Sequence, residues 1–487
     1  MRKLLYIVFF LIPLGAFSQR DTIAHLYTFG GPNNDGAEEI EATSDGGYIV
    51  VGATSSNSSG NTDVYLLKVD SLCNYEWSFA LGGANNDWGY SVKQTFDKGF
   101  IIAASSNSYG NGGYDALLMK RDSLGNFVWQ KKYGGQDWDF AYSVAQTFDS
   151  GYVFCGETYN NTSGFSDVYV VKTNPLGDTL WTKTIGASLI DKGNCVIETS
   201  DSNIVVAGLT NTIADSTQAY VIKLNQNGVL LWDSAYGGAL YDDANAIIET
   251  VNGEYVTAGS STNFNVLGDL DFYLLRLNNN GGLIWENAHG TIGSEEAFGL
   301  VEDSNGNLII VGYTKSTTGG GMKDAQLFYV TSGGWWGAQG STFGAAMDEE
   351  AKSIVFGKNG SMNMAGYTNS FGQGLDDVLI MDVDTVVPNH QFTVDQNDVL
   401  PPVGVLVYSE KKANLVYPNP ASTYLTYVGD SDIDRCRIAD LTGKTVIEKE
   451  LSFVTSIDLS FLSEGAYIVV FYKDEKEVDV QKLIISR

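Results

Sequence analysis

A repeat of about 52 residues constrains the fold of this chain more than any other feature of its sequence. Trp77, Trp129, Trp181, Trp232 and Trp285 follow one another at intervals of 52, 52, 51 and 53 residues, and Trp335 or Trp336 continues the series. A fixed period of this size indicates an array of one supersecondary unit, because a single unit cannot bury its own apolar face. We therefore expect a modular fold.

Each repeat has the pattern of four short strands separated by turn residues. In the first copy the predicted strands are 37–43, 48–54 and 63–69, followed by the strand that contains Trp77. Asp45-Gly46-Gly47 joins the first two strands, since Asp-Gly and Gly-Gly supply the positive φ of tight hairpins. The turn and the strand after it recur in seven copies, although the turn residues vary. Four antiparallel strands per unit are typical of β-propeller blades, so the predicted fold is all-β with a seven-bladed β-propeller.

The two ends of the series predict how the propeller closes. The seventh copy has its first three strands but no Trp strand, whereas residues 25–31 match a Trp strand and stand 52 residues ahead of the strand of Trp77. We expect this N-terminal strand to complete the seventh blade, because the pairing would cover strand edges that are otherwise exposed.

The N-terminus predicts export. Arg2 and Lys3 precede an apolar stretch at 4–14 that is too short to span a bilayer, and Ala16 and Ser18 suit cleavage by a signal peptidase. No other apolar stretch of about 18 residues follows, so we expect no transmembrane segment in the mature chain. The predicted organisation is a signal peptide at 1–18, the propeller at 19–384, a linker at 385–412 and a separate domain at 413–487.

Composition excludes some partners. The 487 residues carry a formal net charge of −29, which repels nucleic acid and anionic lipid because phosphate binding depends on clustered Lys and Arg. Cys73, Cys155, Cys195 and Cys436 are widely spaced and form no CxxC pair, so Cys-based metal clusters are excluded. We expect them to be small buried hydrophobes, with a Cys155–Cys195 disulfide as the alternative in an oxidising compartment.

Residues 413–487 do not share the repeat. Short strands with turn residues predict a small immunoglobulin-like β-sandwich. Its motif residues are Tyr417, Pro418, Asn419, Pro420, Asp440, Leu441, Gly443, Lys444, Asp458, Leu459, Gly465, Tyr467 and Lys482. In order and spacing these motifs resemble the type A C-terminal sorting domain of the Bacteroidetes type IX secretion system. The resemblance implies that the translocon and its sorting peptidase are partners, and that the protein passes through the periplasm and outer membrane to be secreted or held at the cell surface.

The propeller repeats are similar to glycine-rich propeller repeats of secreted bacterial proteins, a likeness that implies a fold and not a function. A residue that recurs in every blade is expected to be structural, since an active site needs one copy. One carboxylate recurs per repeat, and we expect it to order a loop by accepting backbone hydrogen bonds. The alternative is a ring of carboxylates that binds Ca²⁺. The seven carboxylates are Asp35, Asp87, Asp139, Asp191, Asp242, Glu295 and Glu349. Lys68 and Asp63, with their equivalents, predict salt-linked strand edges.

Aromatic residues outside the repeat pattern are the candidate ligand-binding residues. Trp88, Trp138 and Phe140 are predicted in the loops that lead into the second and third blades, so they should lie side by side on one face. An exposed aromatic group on a rigid scaffold suits stacking on a sugar ring or anchoring a protein partner. Packing over a loop is the alternative.

The sequence assigns no catalytic, cofactor-binding or metal-ligating residue. No GxSxG, HExxH or CxxC motif occurs, and no motif places a carboxylate and nucleophile around a histidine. The predicted function is a cell-surface or secreted module that binds glycan or protein. The alternatives are a polysaccharide hydrolase or lyase, which a carboxylate pair could support, and a surface scaffold without a small ligand.

Overall fold

The structure of the chain is a computed structural model. It describes residues 24–383, except for positions 57, 111–112, 161, 163, 188, 214–215, 264–268, 292, 316–321, 337–339, 359 and 373, together with 404–405, 415–417, 424–428, 435–440, 444–450, 454–473 and 476–485. The predicted signal peptide and most of the predicted linker lie outside these residues. The chain divides into two compact units, Met1–Leu406 and Val407–Arg487.

Every regular element in the described part of the chain is a strand, as predicted for an all-β fold. The strands of the first unit are β1 (Ala24–Phe29), β2 (Asp35–Ala42), β3 (Tyr48–Thr54), β4 (Asp63–Val69), β5 (Tyr75–Leu81), β6 (Asp87–Gln94), β7 (Phe100–Ser106), β8 (Asp115–Arg121), β9 (Phe127–Tyr133), β10 (Ser143–Gln146), β11 (Tyr152–Thr158), β12 (Asp167–Thr173), β13 (Thr179–Ile185), β14 (Asp191–Glu198), β15 (Ile204–Ile213), β16 (Ser216–Leu224), β17 (Leu230–Tyr236), β18 (Ala246–Glu249), β19 (Tyr255–Ser261), β20 (Asp271–Leu277), β21 (Leu283–His289), β22 (Glu295–Glu302), β23 (Leu308–Thr314), β24 (Asp324–Val330), β25 (Ser341–Phe343), β26 (Glu349–Phe356), β27 (Met362–Thr368), β28 (Asp377–Val383) and β29 (Gly404–Val405).

These strands form seven antiparallel sheets, numbered here in chain order. Sheets 1 to 6 each take four consecutive strands, beginning with β2, β6, β10, β14, β18 and β22. Sheet 7 contains β26, β27 and β28, and its fourth strand is the N-terminal β1, which pairs with β28 over six residues. The short strand β29, which falls within the predicted linker, pairs in parallel with β5 at the edge of sheet 1.

The sheets stack on one another through their central strands. All seven residues of β3 are buried, as are all seven of β4, because each sheet is covered on both faces. The apolar clusters of the first unit accordingly combine residues of neighbouring sheets. One of them joins sheet 7 to sheet 1, since Val378 and Ile380 of β28 pack with Ile40 and Val50.

The repeated tryptophans join each sheet to the next at the outer edge. A Cβ added to Gly177 would lie 2.9 Å from the Trp129 ring, and Gly177 has a positive φ of 76°, so the turn requires glycine both for space and for conformation. The next pair, Trp181 and Gly228, has the same arrangement, and the Trp181 indole N–H donates to Gln226 O at 3.0 Å. In the sixth sheet Trp336 pairs with Val330, as Leu283 pairs with Leu277 in the fifth, so it lies two residues before the repeat position and the expectation that it continues the series is wrong.

A second contact between sheets lies at the hairpin that joins the first two strands. The Phe96 N–H donates to Gln146 Oε1 of the next sheet at 2.7 Å, and the Phe148 N–H donates to Glu198 Oε2 at 2.6 Å. The aligned residues of sheets 7 and 1 are Phe356 and Ala42, whose side chains cannot accept such a bond. The contacts of sheet 7 with its two neighbours therefore lack this hydrogen bond.

The repeated lysines pair within the hairpin of their own sheet. Lys172 Nζ lies 2.8 Å from Asp149 Oδ2 and donates to Thr173 O at 3.1 Å, and Lys120 pairs with Asp97 in the same way. The lysines thus pair with carboxylates of the hairpin turn, and not with Asp63 or its equivalents at the start of their own strand.

The seven repeated carboxylates are each at most 1% exposed and accept a hydrogen bond from the backbone N–H four residues earlier, at 2.6 to 3.0 Å. Most also accept a bond from a side chain of their own sheet, such as Ser108 Oγ to Asp87 at 2.7 Å. These bonds favour the loop-ordering interpretation. Among the described residues, no three His, Cys, Asp or Glu side chains are grouped to hold a metal ion.

The Asp63 series lies against these carboxylates across the boundary between sheets. A Cβ added to Gly82 would lie 2.3 Å from Asp63 Oδ1 and 2.6 Å from Asp87 Oδ2, so glycine is required where the two acids approach. Burial raises the pKa of both carboxyls, and the charge of Asp87 raises that of Asp63 further. The corresponding pair between sheets 6 and 7 is Asp324 and Glu349, where burial and then the charge of Glu349 raise the pKa of Asp324 to about 6.

The second unit contains one three-stranded and one four-stranded sheet. Its strands are β30 (Leu415–Tyr417), β31 (Tyr424–Val428), β32 (Arg435–Asp440), β33 (Thr445–Glu450), β34 (Val454–Asp458), β35 (Gly465–Lys473) and β36 (Lys476–Ile485). Of the predicted sorting residues, Leu459 and Tyr467 belong to its apolar core, and the Lys444 N–H donates to Asp440 Oδ1 at 3.1 Å. Tyr417, Asp458, Gly465 and Lys482 lie in strands, whereas Pro418, Asn419, Pro420, Leu441 and Gly443 lie outside the described residues.

Deletion of residues 19–31, which removes β1, should lower the melting temperature of the first unit cooperatively, on the order of 10 °C. Sheet 7 would lose six paired residues and expose the edge of β28. Differential scanning calorimetry measures the shift, with deletion of residues 19–23 as the control that leaves β1 in place. An unchanged melting curve for the longer deletion would contradict a structural role of β1.

Asp324→Asn should stabilise the protein at pH 8 and have little effect at pH 4. Because the folded pKa of Asp324 lies above its ordinary value of 3.8, folding loses stability as pH rises between about 4 and 6, and the loss persists above that range. The control is Asp303→Asn, since hydrogen bonds hold the pKa of Asp303 below its ordinary value and its substitution should destabilise at pH 8. Urea unfolding at both pH values tests this, and equal effects of Asp324→Asn at pH 4 and pH 8 would refute it.

Candidate functional site

The first strands of the seven sheets converge on one cavity of about 330 Å³. All seven sheets contribute residues to its wall, so the cavity lies where the sheets meet. Its volume is at the lower end of the range for small-molecule sites in proteins.

Each of these first strands carries a β-bulge. In five sheets the pairing register shifts by one residue at Glu38, Tyr90, Asn194, Phe298 and Lys352. The remaining two sheets show the same offset across Tyr142 and Asn245, between an isolated bridge and the strand that follows it. A bulge re-aims the inserted side chain and is frequent beside active sites.

All seven bulged residues line the cavity, and we call them the bulge ring: Glu38, Tyr90, Tyr142, Asn194, Asn245, Phe298 and Lys352. The preceding position is Ala or Gly in every sheet, and the position two residues after the bulge is Ile, Val or Leu in every sheet. The side chain therefore varies from sheet to sheet at the bulge, whereas the positions before and after it keep the same residue type.

One side of the ring is aromatic. Tyr90 and Tyr142 meet edge to face with their centroids 5.0 Å apart. The Tyr142 hydroxyl donates to Glu157 Oε1 at 2.6 Å, which fixes the ring plane. In the next sheet after that of Tyr142, Asn194 Nδ2 donates to Ala244 O at 3.1 Å. This side combines ring faces and edges with amide groups.

The other side of the ring is charged. Lys352 Nζ lies 2.6 Å from Glu350 and 3.7 Å from the centroid of Phe298. Glu38 lines the cavity beside it, and burial raises the pKa of Glu38 while the Lys352 charge opposes that shift. Lys192, two residues before Asn194, does not line the cavity, but its Nζ lies 4.2 Å from the centroid of Tyr142 on the aromatic side.

The three predicted aromatic residues are placed differently. Trp138 is 52% exposed, and its ring meets Phe140 edge to face at 6.3 Å. Phe140 stacks on Tyr142 at 5.6 Å with an interplanar angle of 12°. Trp138, Phe140 and Tyr142 thus form an aromatic track from the surface to the cavity, as expected for alternate residues of an extended segment.

Trp88 does not join this track. It is 37% exposed and lies in strand β6, where it pairs with Ser105, so the expectation that it sits in a loop is wrong. Strand β6 begins at Asp87, one residue before Trp88. Asp87 accepts a hydrogen bond from the Gly83 N–H of the preceding turn, and its own N–H donates to Thr62 O at 2.8 Å. No ring contact among the described residues links Trp88 to Trp138. A ligand-binding role for Trp88, Trp138 and Phe140 stays a prediction.

The bulge ring was not predicted from the sequence, although the seven repeats carry a signal for it when they are aligned. The position three residues after the repeated carboxylate changes from copy to copy, between neighbours that stay the same type. A bulge is not visible in an alternating strand pattern, because the pattern does not show which residue is inserted.

Other candidates have structural surroundings. The four cysteines are free, and Cys195 is the one that lines the cavity. His289 stacks on Trp336 at 4.9 Å, and burial lowers its pKa. Within the described ranges, no helix is long and apolar enough to cross a membrane.

Two family models match the chain. Residues 415–486 match the secretion system C-terminal sorting domain, and residues 199–230 match a β-propeller domain of unknown function (DUF5122). No curated protein sequence matches the chain.

Solved structures are similar to the chain at low identity. The WD40 domain of Pan2 from Neurospora crassa is 12% identical, with a TM-score of 0.46 and coverage of 74% of this chain and 92% of that one. Sqt1 from Chaetomium thermophilum is 11% identical, with a TM-score of 0.43 and coverage of 84% and 96%. A protein of unknown function from Bacteroides caccae is 14% identical, with a TM-score of 0.37 and coverage of 56% and 89%.

The match over 415–486 confirms the resemblance of the tail and the export route that it implies. The tail interacts with the secretion machinery, and the repeats before it are those of a β-propeller. The chain is an exported β-propeller-repeat protein whose type IX secretion C-terminal sorting domain directs it through the outer membrane to the cell surface or the medium.

Proposed function

We propose that this protein is an exported glycan-binding module whose ligand enters the cavity inside the bulge ring. In this proposal the seven sheets close into a seven-bladed propeller through β1, and the second unit is an immunoglobulin-like domain recognised by the translocon and its sorting peptidase. The packing of β28 of sheet 7 against Ile40 and Val50 of sheet 1 supports the closure.

The observation that carries the proposal is the composition of the bulge ring. Sugars are recognised by an aromatic face or edge together with several hydrogen-bonding groups, because a pyranose has apolar C–H faces and a rim of hydroxyls. Tyr90 and Tyr142 supply the aromatic groups, and Asn194, Asn245 and Glu38 supply donors and acceptors around the same cavity. A structural role alone does not account for this variation, since the neighbouring positions repeat in type.

The aromatic track extends this site toward the surface. Trp138 stands at its exposed end, and a Cβ added to Gly113 would lie 1.9 Å from that ring, so glycine makes room for it. A glycan longer than the cavity could continue over Phe140 to Trp138. The predicted role of Trp138 is therefore that of an outer binding position, while the cavity holds the end of the ligand.

A polysaccharide hydrolase is the second candidate, and Asp243 is the observation in its favour. Burial raises the pKa of this carboxyl to about 6, in the range of a general acid. The Asp243 side chain is 6% exposed, however, and accepts bonds from the Ser260 N–H at 2.6 Å and from the Tyr241 hydroxyl at 2.9 Å. These contacts fit a structural carboxylate better than one that reaches a substrate.

Saturable binding of the purified secreted protein to a panel of oligosaccharides tests the proposal by isothermal titration calorimetry. We expect Tyr90→Ala to weaken binding at least tenfold, which corresponds to about 1.4 kcal/mol, and Trp138→Ala to weaken binding only of longer oligosaccharides. The control is Phe148→Ala, since Phe148 is an aromatic residue 62% exposed in the hairpin at the other end of the first strand.

The same samples distinguish the candidate functions. Binding without release of reducing ends supports a module, whereas release of reducing ends that Asp243→Asn abolishes would establish the hydrolase. If no oligosaccharide binds, or if Tyr90→Ala binds as tightly as the unaltered protein, the cavity is not a glycan site.

A further inference from the structure

Lys93 and Lys352 line the cavity, Lys192 lies over its lining residue Tyr142, and the three lysines differ in their partners. Lys93 lies 2.5 Å from Glu39 and 3.2 Å from Glu41, and Lys352 lies 2.6 Å from Glu350. Lys192 is half-buried over Tyr142, and no carboxylate among the described residues lies within ion-pair distance of it. A half-buried ammonium that no carboxylate contacts directly is costly, unless a ligand supplies the contact.

Glu38 is the complementary group. It lines the cavity from sheet 1, and no described side chain forms an ion pair with it, although Lys352 and Lys192 both influence its charge. Lys192 belongs to sheet 4 and lies over Tyr142 of the cavity wall, whereas Glu38 lines the cavity from sheet 1. A ligand held between them needs an anionic group at one end and hydroxyl donors at the other.

The charge of the whole protein limits how acidic that ligand is. With a formal net charge of −29, the protein repels a polyanion over a distance of about 8 Å at physiological ionic strength. A single carboxylate that contacts Lys192 gains a charge-assisted hydrogen bond and adds little to the long-range repulsion.

We infer that the ligand is a neutral oligosaccharide ending in one acidic sugar, whose carboxylate binds Lys192 and whose hydroxyls donate to Glu38 within the bulge ring. This inference rests on the proposed glycan-binding function and names its ligand class. The acidic sugar lies against Tyr90 and Tyr142, and the neutral sugars that follow it extend along the aromatic track to Trp138.

The test uses matched pairs of probes that differ by the acidic sugar: sialyllactose against lactose, and glucuronosyl-xylobiose against xylotriose. We expect the acidic member of at least one pair to bind the full-length secreted protein at least tenfold more tightly than its neutral partner. Loss of one charge-assisted hydrogen bond should weaken that binding about tenfold to a hundredfold in Lys192→Met, while Lys192→Arg should retain most of it.

Two controls separate charge from structure. Lys192→Met keeps the apolar stem over Tyr142, so unchanged melting together with lost acidic preference identifies a charge effect. Lys132→Met removes a lysine from the outer strand β9 and should leave both affinities unchanged.

The outcomes distinguish the inference from the proposed function. Equal affinity for acidic and neutral members, or a preference that survives in Lys192→Met, would overturn the acidic ligand and leave glycan binding in place. Failure of both the neutral panel and the acidic probes to bind would overturn the glycan-binding function, and this inference with it.

Discussion

The stacking of sheet against sheet is the interaction on which the rest of the first unit depends. The central strands of each sheet are buried on both faces, so an isolated sheet would expose two apolar surfaces and could not persist in water. Three kinds of contact hold neighbouring sheets in register. One is the hydrogen bond from the hairpin of one sheet to a Gln or Glu of the next, and another is the pair of carboxylates beside a glycine such as Gly82. The third is the packing of a repeated tryptophan on the glycine turn of the next sheet. Residues at these positions recur because every boundary between sheets poses the same packing problem.

Sheet 7 differs from the other sheets in the contacts that its hairpin makes with its neighbours. Its hairpin contacts lack the Gln or Glu acceptor, because Phe356 and Ala42 occupy those positions. Instead, Lys358 Nζ donates to Ser44 O at 2.9 Å, and β1 supplies the outer strand from the other end of the chain. At the hairpins the last and first repeats are thus joined by a lysine in place of the Gln or Glu used between consecutive sheets from 1 to 6, whereas the carboxylate pair recurs as Asp377 and Asp35 beside Gly30. A strand from the distant terminus makes the last sheet dependent on both ends of the unit.

The repeat made the strands and their order predictable, because the spacing of Trp77 and its equivalents is set by packing that recurs. The strand starts were less predictable. β2 begins at Asp35 and not at residue 37, since the Asp35 N–H donates to Asp376 O of sheet 7, a contact remote in sequence. Trp88 was predicted in a loop for the same reason, since the bond from the Asp87 N–H to Thr62 O that starts its strand is also remote in sequence. The aromatic prediction named Trp138 and Phe140 of the aromatic track but omitted Tyr142, which belongs both to the track and to the bulge ring. Its position follows from a one-residue bulge, and sequence alternation cannot reveal an inserted residue.

The bulge also explains how a highly repeated framework can carry a site that is not repeated. A residue inserted into the ladder shares its partner with a neighbour, so exchanging its side chain does not alter the pairing of the strand. The small residue before it and the branched residue after it maintain the packing, whatever the ring position holds. Seven side chains from seven sheets can therefore differ without disturbing the contacts between sheets, and the result is a cavity that is aromatic on one side and charged on the other. The seven carboxylates recur and the bulge ring does not, which is the distinction expected between residues that build the fold and residues of the proposed site.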